Sequence, residues 1–363
     1  METTGTAKDS SLDAANTSTA RAMQTVFVTG GSGFIGRNLV FELARRGCRI
    51  RCLVRASSQI EHLRQIGADV CVGDVSQPDC LRDAAAGVDT VFHIAGLIAA
   101  PRTEQMMRVN GEGTWNVARA CAAQAKPPVL VTVSSLAAAG PVPDGSVRRE
   151  TDPPLPVSHY GHSKRAGELA ARAWADRVPT TIVRPGIVFG PEDRLLLPMF
   201  RSIVRLGIHP VPTFDPPPLS LIHVHDLIEI LLRAAECGTR IGTGETGETG
   251  ESAAAGCYFA CSDEHPTYSE LGRLAADAAG RRHLFLLHMA EPLTWLVAGA
   301  AELVARLTRQ PIIVNLDKMR ESIQPSWAAS PRGIRTELGF AEPYSLRQRI
   351  CQTVAWYREQ GWI

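Results

Sequence analysis

The sequence predicts an α/β protein, a doubly wound parallel sheet with a smaller, mainly helical carboxyl-terminal region. Three observations carry the prediction. From residue 23 onward, short β-branched runs alternate with stretches of helical periodicity. Four glycines crowd the junction between the first run and the first helical stretch. After Gly190 the alternation gives way to a proline-rich segment and then to helical periodicity with short loops.

The runs TVFVT (25–29), RIRCLV (49–54), ADVCV (68–72), VDTVFHI (88–94), PVLVTVS (128–134) and PTTIVR (179–184) read as strands. Phe34–Arg46, Ser58–Ile66, Pro78–Ala86, Thr103–Gln124 and Tyr160–Arg177 read as the helices between them. Such spacing implies right-handed crossovers and a parallel sheet covered on both faces. The ligand site of such a sheet lies beyond the carboxyl ends of its strands. PVPTFDPPPLS (210–220) carries five prolines and reads as an extended, stiff segment. TGETGETGE (243–251) reads as a flexible surface insertion. GCYFACS (256–262) reads as one more strand.

Composition narrows the function classes. The 363 residues suffice for one large or two intimately joined domains. With 38 basic and 37 acidic side chains, no nucleic-acid or polyanion surface is indicated. The nine cysteines lack zinc-site spacing and sit mostly in apolar contexts, which reads as a reducing, cytoplasmic location with no metal and no disulfides. Residues 1–22 have no apolar stretch of signal-peptide length and read as a disordered amino-terminal tail. Pro292–Leu307 is interrupted by Glu302 and Arg306, too short to span a bilayer. The spacing of Trp295, Leu296, Leu303 and Leu307 predicts an amphipathic helix with those side chains buried.

The glycine cluster carries the first chemistry. In VFVTGGSGFIG, Gly30, Gly31, Gly33 and Gly36 separate a strand from a helix. Glycine permits the tight turn and removes the Cβ that would hold a pyrophosphate off the backbone. The helix opening at Phe34 and Ile35 then aims free N–H groups and its positive dipole end at the phosphates. A Rossmann-type dinucleotide domain over 23–190 follows, with a returning segment at 221–262. Residues 191–220 and 263–363 are left as the substrate-binding region. Tyr160 and Lys164 stand four apart, on one face of a helix. A fixed ammonium beside a phenol favours the phenolate, which acid–base work near neutral pH requires.

Together with GDV (73–75), FHIAG (92–96), VNGEGTWNV (109–117), VSSLAAAG (133–140), YGHSK (160–164), VRPGIVFGP (183–191) and LIHVHDL (221–227), the glycine turn resembles the extended short-chain dehydrogenase/reductase superfamily, the NAD-dependent epimerase/dehydratase group. The resemblance runs from about Thr25 to Leu227, and more weakly to the end. It implies that Tyr160 exchanges a proton with the substrate oxygen and that Lys164 also binds the ribose hydroxyls. Counting back from Gly140 puts the hydrogen-bonding serine at Ser135, with Ser134 the close alternative. Asn110 resembles a proton-relay and helix-positioning asparagine, and also reads as a plain polar cap. Asp74, with Val75 after it, resembles the residue that recognises the adenine amino group. Ala95 and Gly96 resemble the loop against the cofactor, and Arg184-Pro185-Gly186 the segment near the nicotinamide. Many sugar-modifying members carry tyrosine where Ala139 stands.

In HVHD (223–226) a third metal ligand is not evident, and Asp226 reads as the N-cap of the following helix. His159 is given no role. Arg194, Arg201 and Arg205 read either as a diphosphate clamp or as a solvated helix face.

Arg55 sets the cofactor expectation. It closes the second strand, where an acidic residue would bond the ribose 2′-hydroxyl of NAD. A cation there suits the 2′-phosphate of NADP, with Ser57, Ser58 or Arg37 as helpers. NADP is therefore expected, with NAD the alternative. The resemblance leaves three functions: a reductase or dehydrogenase of a secondary alcohol/ketone, close to dihydroflavonol reductases and 3β-hydroxysteroid dehydrogenases; a nucleotide-sugar epimerase or dehydratase with tightly bound cofactor; and a non-catalytic dinucleotide sensor. The first is preferred, because the 194–220 and 265–330 segments are apolar and proline-rich. By the same resemblance, helices at 103–124 and 160–177 would pair in a homodimer, and the partner molecule is a small substrate.

Overall fold

Apolar runs of four to six residues, most of them buried on both faces, organise the molecule. The computed structural model describes residues 23–242, 254–308 and 315–363. The expected tail at 1–22 and the repeat at 243–251 lie outside the described residues. The strands are β1 (Thr25–Thr29), β2 (Arg49–Val54), β3 (Asp69–Val72), β4 (Thr90–His93), β5 (Val129–Val133), β6 (Thr180–Pro185), β7 (Ile187–Phe189), β8 (Ile208–Val211), β9 (Leu221–His223), β10 (Cys257–Ala260) and β11 (Phe285–His288). Seven of them form one sheet in the order β10-β6-β5-β4-β1-β2-β3. Every pairing in it is parallel. The order reverses between β1 and β4, and a crevice opens there at the strands' carboxyl ends.

The helices are α1 (Phe34–Arg45), α2 (Glu61–Gln65), α3 (Asp79–Ala84), α4 (Thr103–Met106), α5 (Gly113–Ala122), α6 (Leu136–Ala139), α7 (His159–Arg172), α8 (Leu197–Leu206), α9 (Val224–Glu236), α10 (Tyr268–Ala278), α11 (Glu291–Thr308), α12 (Leu316–Ser322), α13 (Arg332–Thr336) and α14 (Leu346–Glu359). One core cluster joins β1, β2 and β5 to Leu39 and Leu43 of α1 and Leu227 and Leu231 of α9. A second, on the other face, joins Phe27 and Val91 to Leu81 of α3 and Val117 of α5. This two-sided cover explains why the strands are apolar rather than alternating. A third cluster ties α8, α10 and α14 into the carboxyl-terminal region.

Three local expectations are corrected. The helix expected over 103–124 is interrupted by a π-helical turn at Met107–Glu112, which contains Asn110. Close helix packing surrounds that turn: a Cβ on Gly167 would lie 2.4 Å from the Asn110 carbonyl oxygen. The N-cap of α9 is His223, whose ring accepts from the His225 N–H; Asp226 instead receives both Nε and Nη2 of Arg349 from α14. In α11 the buried stripe is Thr294, Ala298 and Ala305, whereas Leu296, Leu303 and Leu307 are 70%, 59% and 76% exposed. Small side chains allow that face close approach to the body, so the leucines point outward. No described helix is long and apolar enough to cross a membrane.

Candidate active site

The glycine turn shows why side chains are excluded there. Gly30 has φ +80°, and a Cβ on it would lie 2.6 Å from the Ala95 nitrogen. A Cβ on Gly36 would lie 2.1 Å from the Gly30 carbonyl oxygen. Gly33 is the N-cap of α1 and supplies no side chain, so no cap occupies the N–H groups of the first turn with Phe34 and Ile35. Backbone donors, a helix dipole and a Cβ-free cradle fit a pyrophosphate.

A hydrogen-bonded chain fixes the Ala95–Gly96 loop beside this turn. Ala95 N–H donates to Thr29 Oγ1, which meets His93 Nδ1 at 2.7 Å. His93 Nε2 lies 3.0 Å from Thr114 Oγ1, and that hydroxyl donates to the Asn110 carbonyl at 2.7 Å. The Thr114 proton being so committed, His93 donates from Nε2 and accepts at Nδ1. Burial, with Lys164 adding to it, pushes its pKa down to about 3, so the ring stays neutral. Asn110 is not a helix cap. Its Oδ1 accepts from Leu97 N–H at 2.8 Å, and its Nδ2 donates to Leu97 O at 2.9 Å and Ser163 Oγ at 2.8 Å. It therefore pins the loop to α7, and Gly96 leaves room: a Cβ there would lie 2.9 Å from Lys164 Nζ.

Tyr160 and Lys164 lie on α7, whose start is capped by Ser158. The short helix α6 that Ser135 opens packs on the Tyr160 turn, since a Cβ on Gly161 would lie 2.5 Å from the Ala137 carbonyl oxygen. Burial pushes the phenol pKa up, and the Ser135 hydroxyl works against it by favouring the ionised form. Ser134 is instead turned into the protein, donating to Glu168 Oε1 at 2.6 Å. The structure thus separates the two serines. Lys164 Nζ donates to the Val133 carbonyl at 3.0 Å, and burial pushes it down to about 8 against the pull of Glu168. The cation facing the Tyr160 ring is Lys318, 5.5 Å from its centroid, a residue the sequence reading missed.

Beyond the end of β2, Arg55, Asp74, Ser76, Leu97 and Arg108 line a cleft of about 340 Å³. Arg55 is exposed at the tip of β2. Asp74 Oδ1 accepts from both Ser76 N–H and Ser76 Oγ, while Val75 is buried against α5. Arg37 is not available as drawn: it donates to Glu192 and meets His62 Nδ1 at 3.3 Å. Glu192 itself holds φ +71°.

Pro185 ends β6, and the side chain of Arg184 before it is held in a buried pair with Glu168. Arg194 lies over the Trp362 ring at 5.3 Å and Arg201 donates to the Trp362 carbonyl at 2.8 Å. Both face the carboxyl terminus rather than forming a clamp. Among the described residues, no group of three or more His, Cys, Asp or Glu side chains could hold a metal ion.

Residues 26–248 match the profile of the NAD dependent epimerase/dehydratase family. The chain belongs to that family. It is an NAD(P)-dependent enzyme of the extended short-chain dehydrogenase/reductase type, and its relatives include reductases and dehydrogenases. Ceramide reductase of Caulobacter vibrioides is 32% identical over 343 residues, 94% of this chain and 97% of that protein. The 3 beta-hydroxysteroid dehydrogenase/Delta 5-->4-isomerase of Mycobacterium tuberculosis is 26% identical over 349 residues, 92% and 90% of the two chains. Among solved structures, the protein gox2253 superposes with a TM-score of 0.72 at 26% identity, covering 94% of this chain and 99% of that one. The residues beyond the epimerase/dehydratase match include α12, which lies against the start of α7.

Proposed function

We propose that this epimerase/dehydratase-family protein is an NADP-preferring reductase or dehydrogenase of a secondary alcohol/ketone on a largely apolar substrate. The observation that carries this reading is the packing of α6, which Ser135 opens just past the carboxyl end of β5, onto the turn of α7 that bears Tyr160, with Lys164 one turn further along α7. When bound, the nicotinamide supplies or accepts the hydride. Tyr160 gives its phenolic proton to the substrate oxygen in reduction and takes it back in oxidation. Ser135 donates a hydrogen bond to that oxygen and holds it beside the phenol. Lys164, half-buried beside Gly96, would bind the ribose hydroxyls, while Asn110 holds loop and helix together. Arg55, with Arg108 across the same cleft, would receive a 2′-phosphate.

Substrate class is inferred from two directions. Of the three arginines that could clamp a nucleotide diphosphate, Arg194 and Arg201 are engaged by Trp362, which favours a substrate without one. The ceramide reductase and hydroxysteroid dehydrogenase relatives are both named for lipids, which fits the apolar 194–220 and 265–330 segments. Purified protein, supplied with NADPH or NADH and a panel of long-chain ketones, steroid ketones and nucleotide sugars, tests the proposal. Net oxidation of NADPH with a lipid ketone is expected. Interconversion of a nucleotide sugar without net turnover of added cofactor would overturn it.

A further inference from the structure

The seven-residue helix α12 converges on the first turn of the catalytic helix. Asp317 accepts the backbone N–H groups of His159 at 2.7 Å and Tyr160 at 3.1 Å. Glu321 accepts from the Ser158 hydroxyl at 2.6 Å, and Ser158 is itself the N-cap that receives Gly161 N–H. Lys318, between these two acids in sequence, donates to Glu321 at 2.6 Å and stands over the Tyr160 ring. Free N–H groups at a helix start ordinarily draw a nearby carboxylate. Here that carboxylate comes from a segment 157 residues downstream, and it brings a lysine with it.

We propose that Lys318 is a positioning residue for proton transfer: held by Glu321, its ammonium faces Tyr160 from the carboxyl-terminal region and favours the phenolate. The inference rests on the proposed role of Tyr160 but adds a charge source outside the Tyr160/Lys164 pair. Lys164 donates one N–H to the Val133 carbonyl and lies against Gly96. The groups that act on the phenol are the Ser135 hydroxyl from α6, which favours ionisation, Lys318 from α12, which does the same, and Glu321, which opposes it. Asp317 meets only the backbone of the turn. A cation at the ring face is also attracted by the π-system of the phenol, which fixes the approach of Lys318 in both protonation states.

The test is a titration of the full-length protein with NADP⁺ bound, using isotope-labelled tyrosine ring carbons observed by NMR. The chain has five tyrosines, so the Tyr160 signal is assigned by its loss in Tyr160→Phe. In Lys318→Met, which keeps the stem but removes the charge, the Tyr160 midpoint should move to higher pH. Lys318→Arg should restore it toward the parent value. Cofactor affinity and melting temperature, measured alongside, report whether either variant is misfolded. A midpoint unchanged in a folded Lys318→Met protein, or equally displaced in Lys318→Arg, would overturn the proposal. The titration uses no substrate, so its outcome is independent of whether the lipid-ketone reading holds.

Discussion

Both Nε and Nη2 of Arg184 donate to the two carboxylate oxygens of Glu168 at 2.8 Å, and neither side chain has more than 3% exposure. Glu168 lies one turn beyond Lys164 on α7, so the pair joins α7 to β6. Ser134 and Arg165 complete the bonding of the carboxylate.

Removing one partner from such a pair strands a buried charge. Arg184→Met is expected to lower stability by roughly 3–5 kcal/mol in urea unfolding, and Arg184→Met combined with Glu168→Leu to recover much of it. Burial works to raise the Glu168 pKa, but Arg184, Arg165 and Ser134 together hold it at about 2, below its ordinary 4.5. A depressed folded-state value means stability that is present above pH 4.5 and lost as pH falls toward 2. Acid unfolding of Glu168→Gln should therefore lose part of its steepness in that window relative to the parent.

Tyr160→Phe keeps the ring packed against α12 but removes the transferable proton. Turnover of the ketone identified in the substrate panel should fall by about 10²–10⁴-fold. Cofactor affinity should be nearly unchanged, because the glycine turn and Lys164 remain. Ser135→Ala should give a smaller loss, and Ser134→Ala should act on thermal stability instead, since its hydroxyl serves Glu168.

On the proposed reading, Arg55 at the tip of β2 sets the cofactor preference. Charge-assisted hydrogen bonds contribute about 1.5–3 kcal/mol each, so Arg55→Asp should weaken NADPH binding by roughly 10- to 100-fold. NADH binding should improve, because the new carboxylate can accept from a ribose hydroxyl. Fluorescence titration with both cofactors measures this, and retention of the parent preference would show that Arg55 does not touch the phosphate.

Gly36→Ala tests the cradle itself. Its Cβ would fall 2.1 Å from the Gly30 carbonyl oxygen, and the contact is backbone on both sides. Overpacking of this kind costs about 1–3 kcal/mol, and the displaced turn should also lose its grip on either cofactor equally. Gly47→Ala serves as the comparison, since a Cβ there meets nothing within 4 Å, though its φ of +76° still strains alanine.

What the sequence determined by itself was short in range. β-branched runs set the strands, glycines set the phosphate turn, and a four-residue spacing put Tyr160 and Lys164 on one face of α7. Each is a property of residues that are neighbours along the chain. The parallel sheet followed because helical stretches between strands leave few other ways to bury both faces. The tertiary structure alone decided which partners those residues meet. Ser134 and Ser135 are adjacent and chemically identical, yet strand geometry sends one to Glu168 and the other to Tyr160. Arg37 is written as a cation near a cofactor phosphate, but the Glu192 carboxylate is brought to it by the fold. On α11 the leucines mark an apolar face, and the small residues opposite won the packing because close approach favours them. Lys318 could not be read at all, since only the fold carries an ammonium across more than 150 residues to the ring of Tyr160.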